Sequence, residues 1–193
     1  ILQSAIPVKR RLRSLKSVWE VTVAGHLRAV KDPFRTALAS RRLPSSSRIR
    51  ISHLGKALST AMERRAQREM LCNVRYRWYG ECAHSRARQL IARSRILVLS
   101  SKMEGGANVI SEALADSVPV LASRIEGSVS LLGNNYSGLF NVGDTKRLCD
   151  LLNRVETDPL FYAELSEQCR ARAGQLTPHR ERVSWQSLMQ NVW

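Results

Sequence analysis

Acidic residues are scarce in this sequence. Its 193 residues include 31 Lys and Arg but only 16 Asp and Glu, a formal charge of +15. Aromatic residues are scarcer still at 6%, too few for a base-stacking platform of the kind that holds single-stranded nucleic acid. The cysteines Cys72, Cys82, Cys149 and Cys169 form no CxxC pair, and no histidine stands at ligand spacing from them. The pattern of a zinc site is therefore missing, and no metal is expected. Scattered single cysteines fit a reducing, cytoplasmic compartment. No apolar run reaches the roughly 18 residues of a transmembrane helix, so no membrane span is expected. GxGxxG and GxxxxGK(S/T) are both absent, which removes the fingerprints of a dinucleotide fold and of a P-loop. No GxSxG or other nucleophile motif lies near His26, His53, His84 or His179. For all but His26 an ordinary structural role is expected. The opening "ILQSAIPVKRRLRSLKS" lacks an initiator Met, and its short apolar part precedes its basic residues. That order does not fit a secretory leader; it fits a start inside a longer protein.

The positive charge is lopsided. Residues 1–100 hold 22 basic and 5 acidic residues, whereas residues 101–193 hold 9 and 11. Such a half can serve a nucleic-acid surface, a solvated basic face, or a face turned toward an acidic domain. The 44% hydrophobic content suits one globular domain with a substantial core.

Hydrophobic spacing divides the chain into alternating strands and helices. "SVWEVTVAGHL" (17–27) is β-branched, apolar and ends in a glycine turn, the pattern of a buried strand. A helix is predicted over 32–43, with Asp32 as cap and Pro33 at its first position, and with Phe34, Ala37, Leu38 and Arg41 on one stripe. Alternation over 47–55 predicts a strand. Leu58, Met62, Ala66 and Met70 mark a helix over 56–71. A short strand at 74–80 and a helix over 84–95, with Ala87, Leu90, Ile91 and Ser94 on one face, come next. "ILVLSS" (96–101) is apolar throughout, like a central parallel strand. A helix from about Ala107 to Ala115 and a strand at 118–123 follow. A glycine-punctuated loop then leads to a short strand within 138–144. Helices over 145–156, 159–173 and about 178–190 close the chain. Alternation of this kind predicts a doubly wound α/β domain with a parallel sheet, whose ligands bind beyond the carboxyl ends of the strands.

Three loops fall at that end. "GHLRAVKD" (25–32) offers close backbone approach at Gly25 and cationic donors at His26, Arg28 and Lys31. This suits a phosphate or diphosphate, or else is a turn with solvated bases. "MEGGANVISE" (103–112) removes side chains at Gly105 and Gly106, where helix N–H groups emerge. Glu104 and Glu112 flank them; acids there accept sugar hydroxyls, unless Glu104 only caps and Glu112 only faces solvent. Asn108 can bond a ligand or its own backbone. In "IEGSVSLLGNNYSGLF" (125–140), Gly127 follows a strand end closely enough to line a site.

"EGGANVISE" followed by "ALADSVPVLAS" resembles the E-x7-E signature of GT4-like, retaining-type glycosyltransferases of the GT-B fold. "AGHLRAVKDPF" sits where that family has its Gly-Arg…Lys loop, and the likeness covers about residues 18–190. The resemblance implies a Rossmann-like domain that binds a UDP-sugar without a cofactor. Lys31 would pair with the donor diphosphate and Glu104 would contact the transferred sugar. Glu112 would hold the ribose hydroxyls, and the backbone at Gly105, Gly106 and Ala107 would approach sugar and diphosphate. His26 stands where most of the family has Arg, with Arg28 near enough to substitute; Ser117 replaces a common glycine. A narrower likeness, in "GHLRAVKDPFRTALA", "SSKMEGGANVISEA" and "LLGNNYSGLFNVGD", is to the selenosugar synthase branch of selenoneine biosynthesis. It implies a UDP-hexose donor, UDP-N-acetylglucosamine or UDP-glucose, and selenophosphate as acceptor. A GT-B enzyme works between two such domains. The resemblance thus implies a linker remnant at 1–17, a nucleotide-sugar domain at 18–177, and a final helix at 178–193 that reaches toward an N-terminal domain not in this sequence. Readings left beside it are another GT4-like acceptor, a GT-B-like epimerase or phosphorylase, and a basic nucleic-acid-binding module.

Overall fold

The computed structural model describes residues 3–8, 17–104 and 107–190. Six strands form one sheet in the order β3-β2-β1-β4-β5-β6. They are β1 (Trp19–Ala24), β2 (Ile49–Leu54), β3 (Tyr76–Trp78), β4 (Ile96–Leu99), β5 (Val120–Ser123) and β6 (Leu139–Phe140). Every pairing is parallel. The chain is therefore α/β, with a doubly wound parallel sheet. Strand order reverses between β1 and β4, the place where such sheets open a crevice at their carboxyl ends. β4 and β5 are buried at every residue, because helices cover both faces of a central parallel strand.

The helices are α1 (Arg35–Ser40), α2 (Thr60–Cys72), α3 (His84–Arg93), α4 (Asn108–Ala115), α5 (Glu126–Leu132), α6 (Thr145–Thr157), α7 (Pro159–Ala173) and α8 (Pro178–Gln190). Caps follow local chemistry. The Ser59 hydroxyl accepts from Met62 N at the start of α2, and Asp158 accepts from Leu160 N and Phe161 N at the start of α7. Among the described residues, no helix is long and apolar enough to cross a membrane.

Three local expectations change. Asp32 does not cap α1. It adopts left-handed backbone angles (φ 43°, ψ 55°) after a 3-10 turn at Ala29–Lys31. Its carboxylate is taken by Arg35 Nε at 2.7 Å, so the helix begins three residues later than predicted. Leu58 precedes α2 and is 52% exposed rather than on its inner stripe. A β-bridge between Leu27 and Ala57 holds that segment extended. Finally, residues 126–132 form α5 where a loop was expected. The glycines of 125–140 suggested a loop, but Leu131 and Leu132 are buried in the common core.

Candidate functional site

The carboxyl ends of β1 and β2 meet through two glycines. Gly25 N donates to Leu54 O at 2.8 Å. Gly55 has φ +147°, and a Cβ there would fall on the Gly25 carbonyl. Only glycine lets these two loops touch. Beneath them His53 is buried, its Nε2 donating to Gly25 O at 3.2 Å and its Nδ1 accepting from the Tyr76 hydroxyl at 2.9 Å. Burial pushes its pKa down to about 4, so the ring is neutral. The structural role expected for His53 is thus that of a prop under the Gly25 loop.

That loop alternates inward and outward. Leu27 is fully buried and its N–H donates to Lys56 O at 2.9 Å, so its neighbours His26 and Arg28 face out. His26 Nδ1 accepts the Lys56 N–H at 3.0 Å, which in the neutral ring leaves the proton on Nε2 as an outward donor. Lys31 follows on the 3-10 turn, tied to β4 by Lys102 N donating to Val30 O and Ser100 Oγ donating to Asp32 O.

Across the crevice, α4 carries Asn108 in its first turn and Glu112 one turn further. Gly25, His26, Arg28, Lys31, Asn108 and Glu112 wall one cleft of about 540 Å³. Six sequence-predicted residues from two distant stretches are thereby brought together. Glu104 is instead engaged by Lys31 Nζ and by Ser101 Oγ, the latter at 2.6 Å, with a side chain only 9% exposed. It caps no helix; Ala107, itself buried, occupies the N-cap of α4. Gly127 lies behind Glu104, where a Cβ would come within 2.6 Å of the Glu104 carbonyl oxygen. Gly105 and Gly106 lie outside the described residues.

The same cleft is lined by residues that sequence reasoning passed over: Gly55, Glu81, Cys82 and His84. His84, expected to be merely structural, donates from Nε2 to Glu112 Oε1 at 2.8 Å. No motif marks it. The available signal was its place just after the strand at 74–80, since residues following strand ends face the crevice.

A cleft with Arg28 and Lys31 on one wall, Glu112 on the other and Gly25 and Gly55 in its lining suits a ligand that joins anionic oxygens to neutral hydroxyls. A family model described as glycosyl transferases group 1 matches residues 8–175. The chain belongs to the glycosyl transferases group 1 family.

Members of GT-B glycosyltransferase structure share its architecture. Anabaena HepE, solved with UDP-glucose, superposes with a TM-score of 0.75 at 20% identity, over 90% of this chain and 49% of HepE. The α,α-trehalose-6-phosphate synthase of Burkholderia multivorans gives 0.75 at 15% identity, over 91% and 43%. Staphylococcus aureus TarM, solved with UDP, gives 0.73 at 15%, over 94% and 38%. The chain thus spans about half the length of HepE or less of the others. At these identities the likeness shows the glycosyl transferase fold alone. No curated protein matches the chain in sequence.

Proposed function

We propose that this glycosyl transferase group 1 domain is the donor-binding half of a GT4-like hexosyltransferase that takes a UDP-sugar in the cleft between β1 and α4. One observation carries the reading: Arg28 and Lys31, from the loop after β1, wall the same 540 Å³ cleft as Glu112 from α4. Structural neighbours solved with UDP and UDP-glucose at 20% identity lend support. The diphosphate would lie on Arg28, Lys31 and the outward His26 Nε2, the ribose hydroxyls on Glu112, and the transferred sugar near Glu104. Asn108 and the backbone at Gly25, Gly105, Gly106, Ala107 and Gly127 would shape the floor.

The chemistry follows from charge. Departure of UDP places negative charge on the diphosphate as the sugar carbon becomes oxocarbenium-like. Fixed cations aimed at that oxygen stabilise the departing group more than the bound substrate. The acceptor in this reading is selenophosphate, in keeping with the selenosugar synthase likeness, and the products are a selenosugar phosphate and UDP. Selenophosphate is already anionic, so no strong general base is needed. The surplus of basic residues in 1–100 would offset the repulsion between two anions held together. Turnover would require a second GT-B domain alongside this one, located in the cytoplasm.

Calorimetric titration of the full-length protein with UDP, UDP-glucose, UDP-N-acetylglucosamine and an oligonucleotide tests the donor assignment. Binding of UDP and one sugar nucleotide supports it; salt-sensitive binding of the oligonucleotide alone overturns it. Lys31→Ala should weaken UDP by about tenfold to a hundredfold, the worth of one charge-assisted contact. UDP release that depends on selenophosphate tests the acceptor; equal release without it sinks the selenosugar assignment.

A further inference from the structure

Arg88 is an arginine in a place that burial makes expensive. It sits on α3 and is 7% exposed. Its Nη2 donates to Asp116 Oδ2 at 3.1 Å and to the carbonyl of Ile6 at 2.8 Å. Its Nε has no hydrogen-bond partner among the described residues and stands 3.9 Å from Glu112 Oε2. A buried N–H left unbonded is destabilising, and buried ion pairs are often no better than well-packed apolar residues. Stability alone does not account for a guanidinium here.

Its place relative to Glu112 does. His84 and Arg88 are one turn apart on α3 and face the two oxygens of one carboxylate: His84 bonds Oε1 at 2.8 Å, and Arg88 lies against Oε2. A carboxylate hydrogen-bonded at one oxygen and faced by a buried guanidinium at the other has one favoured orientation. Each oxygen still has a second lone-pair direction, enough to accept a hydroxyl. We infer that Arg88 is a positioning residue that fixes the Glu112 carboxylate for a vicinal pair of hydroxyls, which makes the cleft selective for ribose over deoxyribose in a nucleoside diphosphate. This inference rests on the reading that Glu112 receives the ribose of UDP.

The guanidinium is itself held from the far side. Asp116, the C-cap of α4 one turn after Glu112, receives Val8 N–H on Oδ1 at 2.9 Å and Arg88 on Oδ2. The pair thus binds one donor and one acceptor of the backbone at residues 6–8, which fixes Arg88 before any ligand arrives.

The test measures affinity of the full-length protein for UDP and for 2′,3′-dideoxy-UDP, in wild type and in Arg88→Met. Wild type should prefer UDP by about tenfold or more, the worth of one good hydrogen-bond pair. In Arg88→Met the preference should fall toward one, while affinity for the dideoxy nucleotide changes little. Glu112→Gln should abolish the preference, and adding Arg88→Met to it should change the ratio no further. Residue 88 as a purely structural anchor would lower both affinities together and leave the ratio intact, which overturns the inference. A wild type that binds UDP without distinguishing the two nucleotides overturns the ribose assignment of Glu112 as well. If Arg88→Met shows no cooperative melt, Arg88→Lys serves instead: it keeps the charge but loses the planar fork, and the ratio must still fall.

Discussion

His53 shows how one side chain can prop a binding loop and tune stability at once. Its pKa is about 4 in the folded protein against 6.5 when free, because burial disfavours the charged ring. Between those values the unfolded chain binds a proton that the folded one does not. The stability due to the neutral ring is therefore complete above the free value and is lost as pH falls through about 4. The full effect is about 3 kcal/mol. Unfolding of wild type and His53→Gln, followed between about pH 7 and pH 4, should show the gap between them change by about that much. Parallel curves would remove His53 from the account. The hydrogen bonds of His53 were invisible in the sequence, since alternation over 47–55 places it inside the sheet but cannot say that Gly25 and Tyr76 lie at its two nitrogens. Gly25, His26, Arg28 and Lys31 were legible because they follow a strand and precede a turn. His84 was not, since its contact with Glu112 spans 28 positions of chain and depends on how α3 lies against α4.

At the scale of elements, apolar runs such as "ILVLSS" were legible because a central parallel strand is buried on both faces. α5 was not, because glycine and serine are poor helix formers and only packing against the common core makes the helix. Gly127 gives a prediction in which two effects oppose each other. By propensity, Gly127→Ala should stabilise a helix by up to about 1 kcal/mol. By geometry, the new Cβ would meet the Glu104 carbonyl oxygen at 2.6 Å, a backbone atom that cannot swing away. The clash dominates, at about 1–3 kcal/mol for a core overpacked by one carbon. The variant should melt earlier and, by displacing Glu104, bind a UDP-sugar more weakly relative to UDP. A variant that melts later would show that the α5 contact with Glu104 yields freely.

For the whole molecule, the lopsided charge of the sequence becomes a lopsided sheet. Residues 1–100 supply β1 to β4, with a surplus of 17 positive charges, and residues 101–193 supply β5 and β6, with a small negative balance. The cleft opens where the two meet, beside the basic side. An anionic nucleotide approaching it is drawn in, and its association rate should fall steeply as salt screens that field over about 10 Å at 0.1 M. Stopped-flow association of UDP at several ionic strengths checks this; a rate indifferent to salt would mean that the basic half has no part in capture. Charge imbalance was legible from the first hundred residues, but that Arg28 and Lys31 face Glu112 across one cleft required the fold.

Before any ligand arrives, Lys31 at the cleft already has a partner: it holds Glu104. Binding there is an exchange of partners rather than an addition of contacts. A bare phosphate would claim Lys31 and leave Glu104 without its cation. A bare sugar would claim Glu104 and leave Lys31 unmatched. Only a molecule carrying both kinds of group satisfies both released partners. Competition by inorganic phosphate and free glucose, alone and together, should accordingly be feeble beside that of the joined sugar nucleotide. The ion pair acts as a placeholder, and what it excludes is half of the right ligand.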